Sequence, residues 1–218
     1  MTSDDWLSPR RCLREPIPEI SETATLLHRA TDAHLAGKRE EAERLIREAD
    51  SGAVRDWAAP LLGTDKQYPE RKEYLRVRSV PDQPPVLPKA ERIATRMPTV
   101  EQRAQLIARY GHQCAFCGIP LIRAEVRNAF HFAYPEAVYW GKESHAAFWC
   151  MWLQYDHILP HARGGDNSLE NLVITCSGCN YGRMSLTLEE VGLLDPRVGS
   201  PQKIDWDGLE RFLRLGRT

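Results

Sequence analysis

Two cysteine pairs constrain this chain more than any other feature. Cys114-Ala115-Phe116-Cys117 and Cys176-Ser177-Gly178-Cys179 lie far apart in the sequence, yet each has the spacing of a zinc knuckle. Two residues between cysteines let the backbone turn so that both sulfurs reach one ion, and Zn²⁺ prefers four such ligands in a tetrahedron. Gly118 follows the first pair and Gly178 sits inside the second, which suits tight turns. A chain stapled in this way must fold the interval between the pairs as one closed insert. Four thiolates leave no open coordination position, so the ion is expected to be structural. Cys12 and Cys150 fall outside the pairs; Cys150 lies in the apolar run Ala146 to Leu153 and reads as a buried thiol, whereas Cys12 has no assignment. The paired spacing favours a metal over disulfides.

Inside the staple the residues change character. Tyr155-Asp156-His157-Ile158-Leu159-Pro160 is followed by Arg163-Gly164-Gly165-Asp166-Asn167 and then Glu170-Asn171-Leu172. Leu153 to Ile158 reads as a strand that sets an acid beside an imidazole, residues 163–167 as a turn, and Glu170 to Ile174 as a second strand. Cys179 to Arg183 reads as the start of a helix. Strand, loop, strand and helix around one metal can form a phosphodiesterase site, since hydrolysis needs an activated water and a cation to stabilise charge on phosphate.

These residues resemble the HNH endonuclease family. The CxxC pairs, Asp156-His157-Ile158 with Pro160, Gly164-Gly165, Asn171 and Asn180 carry the likeness, which covers roughly Tyr110 to Met184. It implies an α+β fold of the ββα-metal, treble-clef-like kind, a divalent ion, and cleavage of DNA phosphodiester bonds. By position, the resemblance makes Asp156 a metal ligand and His157 the general base. Asn171 would hold the loop so that His157 points at phosphate. Asn180, where many members have His, would be the second metal ligand, with a helix cap as its structural alternative. Arg183 would bind substrate, facing phosphate from the same helix. Asp156 and Asn180 both offer oxygen, which favours Mg²⁺ or Mn²⁺ at the catalytic position, apart from the structural zinc on Cys114, Cys117, Cys176 and Cys179. His131, His145 and His161 have no motif support.

The rest of the chain sets the context. Net charge is -1 over 218 residues, so no global positive field draws nucleic acid. The basic surplus is local: residues 71–109 hold nine Lys/Arg against four Asp/Glu, net +5. That strip is either a solvated linker or a surface that touches DNA. The acidic start Met1-Thr2-Ser3-Asp4-Asp5-Trp6 does not read as a secretory signal, and no apolar run is long enough for a bilayer, so a cytoplasmic protein off the membrane is expected.

Three regions are expected. Residues 1–80 form a helical region after an irregular arm, with a hairpin of helices from Glu22 to Ala36 and Arg39 to Ala49, a short helix over Val54–Leu62, and strand-like alternation at Tyr74–Val80. Pro81, Pro84, Pro85 and Pro88 mark residues 81–98 as a stiff linker. Residues 99–218 form the nuclease domain. It opens on a Thr99/Gln102 capping box and a helix to Arg109 stopped by Gly111. The aromatic spacer 119–155 reads as core, with a buried helix from Glu143 to Leu153. A capping box at Thr187–Glu190 starts a short helix, and Asp205–Leu215 gives a last amphipathic one with Trp206, Leu209, Phe212 and Leu213 inward. The hairpin is a candidate docking surface for a protein partner. Competing with a DNA endonuclease are a zinc-stapled binding module that does not cut and a nuclease subunit gated by a partner, as in phage defence.

Overall fold

The computed structural model describes residues 8–141, 144–198 and 204–216. Helix α1 (Pro18–Leu35) starts earlier than Glu22, because Pro18 sits at the first helical position, where its missing N–H costs nothing. Gly37, at φ 75°, makes the left-handed step into α2 (Arg39–Glu48). Helix α3 (Gly52–Leu62) is capped by Ser51, whose hydroxyl accepts from the Val54 N–H. A short helix α4 (Arg71–Leu75) follows.

The strand expected at Tyr74–Val80 does not form. Tyr74 and Leu75 finish α4, Arg76 takes a left-handed turn at φ 50°, and Val77 is 56% exposed. Alternation alone was a poor guide there, since among the described residues no strand lies beside it to complete a ladder. The Thr99/Gln102 capping box is present and starts α5 (Val100–Tyr110). Helix α6 (Ala124–Ala133), within the aromatic spacer, was not anticipated. Helix α7 (Ala146–Cys150) is shorter than the expected Glu143–Leu153 helix, whose first residue lies outside the described residues.

Strands β1 (Leu153–His157) and β2 (Leu172–Cys176) pair antiparallel, with Leu153 opposite Cys176 and His157 opposite Leu172. Helix α8 (Ser177–Arg183) continues directly from β2. Beyond it the Thr187/Glu190 bonds form, but they close a turn and not a helix. The last element is a 3-10 helix, Glu210–Gly216, not an α-helix over Asp205–Leu215; Leu209 and Phe212 nevertheless point inward, with Trp206 and Leu213 packed against the same core.

The hydrophobic interior ignores the expected regional division. One cluster joins Leu13, Val54, Trp57 and Leu61 to Leu153, Ile174, Cys176 and Cys179. The other joins the α1–α2 hairpin, through Leu27, Leu45 and Ile46, to Phe130, Phe148 and Phe212. The first eighty residues and the CxxC unit therefore share both cores. Close packing on α8 depends on glycine: a Cβ at Gly182 would stand 2.8 Å from Leu13 Cδ1 in the arm before α1, and one at Gly178 would stand 3.1 Å from Leu61 Cδ1 on α3. The proline-rich segment does not bridge two bodies. It runs back over the β1–β2 loop, with Leu87 N–H donating to Ala162 O at 2.8 Å and Arg163 donating to Pro84 O at 2.6 Å.

Candidate active site

The four paired cysteines come together. Their sulfurs lie within 4.8 Å of one another, and Cys117 Sγ stands 3.7 Å from Cys176 Sγ. Ligands about 2.3 Å from a tetrahedral Zn²⁺ have sulfurs about 3.8 Å apart, so the set fits such an ion. Cys176 Sγ also accepts from the Cys179 N–H at 3.3 Å, the turn geometry that the CxxC spacing was expected to give. Burial opposes ionisation of Cys114, but hydrogen bonds from Cys117, Cys176 and Cys179 hold its thiol well below the usual range, and the same sulfur contacts push Cys117 and Cys179 well above it. The fit to a dication therefore rests on the placement of the four sulfurs. Among the described residues no other cluster of three or more His, Cys, Asp or Glu has metal-holding geometry. Cys150 is fully buried, as expected; burial pushes the Cys12 thiol up to about 12.

Beside the cysteine cluster, β1, the loop after it, and α8 hold the residues expected from the sequence to carry the chemistry. Gln154 and Asp156 share one face of β1, because strand side chains alternate. Asn180 and Arg183, three apart on α8, share one side of that helix. The two rows meet: Asn180 Nδ2 stands 3.5 Å from Gln154 Oε1, and Arg183 Nη2 donates to Asp156 Oδ2 at 2.7 Å. Asp156 and Asn180 therefore lie on the same seam. Asp156 is 6% exposed, and its Oδ1 accepts from the His157 N–H at 2.8 Å. Each carboxylate oxygen keeps a second lone pair, and Asn180 Oδ1 has no partner among the described residues, so both residues retain oxygen capacity of the kind a hard cation takes.

Arg183 does not face phosphate. It is fully buried, and besides Asp156 it donates to the carbonyls of His157 (2.5 Å), Ile158 (3.2 Å) and Leu186 (2.8 Å). Helical spacing put it on the face of Asn180 but could not say that this face is covered by β1. Its work is to neutralise Asp156 and tie down the end of β1.

His157 is the last residue of β1, and its side chain turns the other way, toward the loop. Its Nε2 lies 2.8 Å from Asn167 Oδ1, and its ring centroid is 5.6 Å from that of His161. Burial is the largest influence on the imidazole and lowers its pKa, which keeps the ring neutral. Asn171 braces the loop from within. Its Oδ1 accepts from the Leu159 N–H at 2.8 Å, and its Nδ2 donates to Leu159 O at 3.2 Å and Asp166 O at 2.9 Å. The Gly164-Gly165 pair is needed here. Gly164 has φ 89°, and a Cβ on Gly165 would lie 1.8 Å from Leu159 O.

Sequence reasoning missed Asn167, Gln154 and the part played by residues 81–98, which lie as a strap over the β1–β2 loop. The side chain of Asn167 donates to Thr95 O (3.0 Å) and Met97 O (3.2 Å), and the His161 ring meets Ile93 O at 2.8 Å. Asn167 stood within the quoted motif, but only as a turn residue. Of the other histidines, His145 is buried with Nε2 at 2.9 Å from Ile46 O, and His131 bonds Val138 O at 2.6 Å. The aromatic spacer is largely core, with Phe130 stacked on Phe212 at 3.8 Å.

Two paired strands and a helix thus lie beside a cluster of four cysteines whose geometry could hold a metal ion. Residues 150–185 match the family model of HNH endonucleases, a span that runs from the end of α7 to just past α8 and includes Asp156, His157, Asn167, Asn171, Asn180 and Arg183. No curated protein and no solved structure matches the chain. No described helix is long and apolar enough to cross a membrane.

Proposed function

We propose that the protein is a metal-dependent endodeoxyribonuclease in which His157 is the general base, Asp156 and Asn180 hold a Mg²⁺ or Mn²⁺ ion, and the four cysteines hold a structural Zn²⁺. The observation that carries this reading is the end of β1. There a buried, neutral-leaning imidazole follows a buried carboxylate, inside the segment that matches the HNH endonuclease model. The bound dication would supply charge stabilisation to the phosphate and to the leaving oxygen. His157 removes a proton from the attacking water, Asn171 keeps the loop from collapsing over it, and Arg183 orients Asp156. With four cysteines on zinc and Cys12 and Cys150 buried as single thiols, the reading places the protein in a reducing compartment, the cytoplasm.

Supercoiled plasmid incubated with Mg²⁺ or Mn²⁺ tests the reading. Wild type should produce nicked or linear product, and His157→Ala should slow it by on the order of 10² to 10⁴. Equal rates from the two proteins would remove His157 from the base role. Elemental analysis should return one zinc per chain, and its absence would count against the staple. A partner-gated nuclease has one observation in its favour: the strap approaches the loop next to His157, which is only 6% exposed. No product from wild type, restored by a protein that engages the α1–α2 hairpin, would select that reading.

A further inference from the structure

The Asn167 amide cannot be turned round without loss. Its Nδ2 donates to two carbonyls, Thr95 O at 3.0 Å and Met97 O at 3.2 Å. Reversal would set oxygen against oxygen twice and lose both bonds. Asn167 therefore presents its oxygen to His157, 2.8 Å from Nε2. An amide oxygen only accepts, so Nε2 must carry the ring proton. In a neutral imidazole the lone pair is then on Nδ1. Nδ1 has no protein partner among the described residues.

We propose that Asn167 is a positioning residue that fixes the Nε2–H tautomer of His157, leaving Nδ1 as the atom that takes the proton from the attacking water. The tautomer follows from hydrogen bonding alone; the part played by Nδ1 rests on the nuclease reading. In the step itself a water O–H bond breaks and its proton passes to Nδ1. The oxygen forms a bond to phosphorus, the bond from phosphorus to the leaving oxygen breaks, and that oxygen takes a proton from solvent. The imidazolium keeps its Nε2–H on Asn167 throughout and then returns the Nδ1 proton to water. A ring free to sit in the other tautomer has its proton on the wrong nitrogen, which lowers turnover and leaves substrate contacts as they were.

The carbonyls that orient Asn167 belong to the strap, and the strap is pinned at further points. Leu87 N–H donates to Ala162 O at 2.8 Å, and just past the strap Gln102 Nε2, in the first turn of α5, donates to Asn167 O at 2.6 Å. The segment that composition marked as a basic linker thus decides which way one side chain of the loop is turned.

Two variants separate the acceptor from the anchor. Asn167→Ala removes both; Asn167→Asp keeps an acceptor for Nε2 and loses the two donations to the strap. Long-range ¹H–¹⁵N correlation spectra at pH 9, well above the ordinary imidazole range, read the proton position directly, with the His157 signal identified by its loss in His157→Ala. Wild type and Asn167→Asp should show Nε2–H, and Asn167→Ala a mixture. On plasmid, Asn167→Ala should lower kcat by about ten- to a hundredfold, less than loss of the base itself, with KM little changed, and Asn167→Asp should recover most of kcat. A wild-type Nδ1–H signal overturns the assignment even if no variant can be prepared. An unchanged tautomer with full kcat in Asn167→Ala, or a folded Asn167→Asp as slow as Asn167→Ala, also overturns it. If wild type cuts nothing under any condition, the nuclease reading fails while the spectra still decide the tautomer.

Discussion

At the scale of single residues, the site depends on one buried ion pair. Arg183 and Asp156 have side chains 0% and 7% exposed, and the guanidinium also serves three backbone carbonyls. Removing one member of such a pair leaves the other charged and unpaired in a low-dielectric place, at a loss of about 3–5 kcal/mol. Arg183→Ala should therefore lose roughly that much stability in urea denaturation. Arg183→Lys should fall in the same direction, because an ammonium cannot reproduce a planar fork with several donors. If Arg183 were a phosphate contact at the surface, both variants would fold with wild-type stability and lose only affinity. The placement of Asp156 and His157 at the end of a strand and of Asn171 against the loop was legible in the sequence, because each is set by a strand register or by the short loop, within a few residues of the motif itself. Arg183 was misjudged and Asn167 overlooked for the opposite reason. Their partners, β1 and the strap carbonyls, are fixed by tertiary packing that no local spacing encodes.

At the scale of elements, the knuckles, the first strand and the Thr99/Gln102-capped helix could be read, since cysteine spacing and capping chemistry act over three or four residues. The second strand, expected at Glu170–Ile174, forms two residues later at Leu172–Cys176. Tyr74–Val80 misled because alternation needs a partner strand to become a strand. Helix α6 hid in a spacer whose aromatics serve two purposes, packing on Phe212 and shielding Arg127, whose guanidinium lies 4.5 Å from the Trp140 ring and 4.3 Å from that of Trp152. The C-terminal 3-10 helix is fastened to the first knuckle's neighbourhood through Glu210. Its carboxylate accepts from Arg123 Nε at 2.5 Å and Nη2 at 2.6 Å and lies 3.2 Å from His112 Nε2. Burial alone would raise its pKa, but the bonds from Arg123 and His112 outweigh burial and hold it at about 2, against an ordinary 4.5. A folded-state pKa below the unfolded value gives stability that is present above the unfolded value and lost as pH falls from about 4.5 toward 2. Glu210→Gln should therefore be less stable than wild type at pH 7, with the gap closing below pH 4. Melting curves across that range check it, and a gap that stays constant with pH would exclude the linkage.

At the scale of the whole molecule, the question is whether the helical first eighty residues are an accessory or part of the fold that makes the site. The interior answers through particular side chains. Leu61 and Leu13 lie against α8 at Gly178 and Gly182, and Arg71 donates to Gly182 O at 3.2 Å. The helix that carries Cys179, Asn180 and Arg183 thus has its outer face covered by α3 and α4. Trp57, buried among the same residues, donates from its indole to Glu15 O at 2.7 Å, so the arm before α1 is bound into the same layer. The hairpin performs the equivalent service for the spacer: His34 stacks on Phe212 at 4.2 Å and bonds the Tyr134 hydroxyl at 2.7 Å. Removing residues 1–80 would uncover Leu61's neighbours on α8 together with Phe130, Phe148 and Phe212, well beyond the apolar patches that soluble monomers tolerate. The intact chain should accordingly unfold in one calorimetric transition. A fragment of residues 81–218 should be insoluble or lack a cooperative transition, even when refolded with zinc. Two separate transitions in the full chain, or a fragment that melts cooperatively and keeps its metal, would mean that the CxxC unit folds alone and that the hairpin only decorates it.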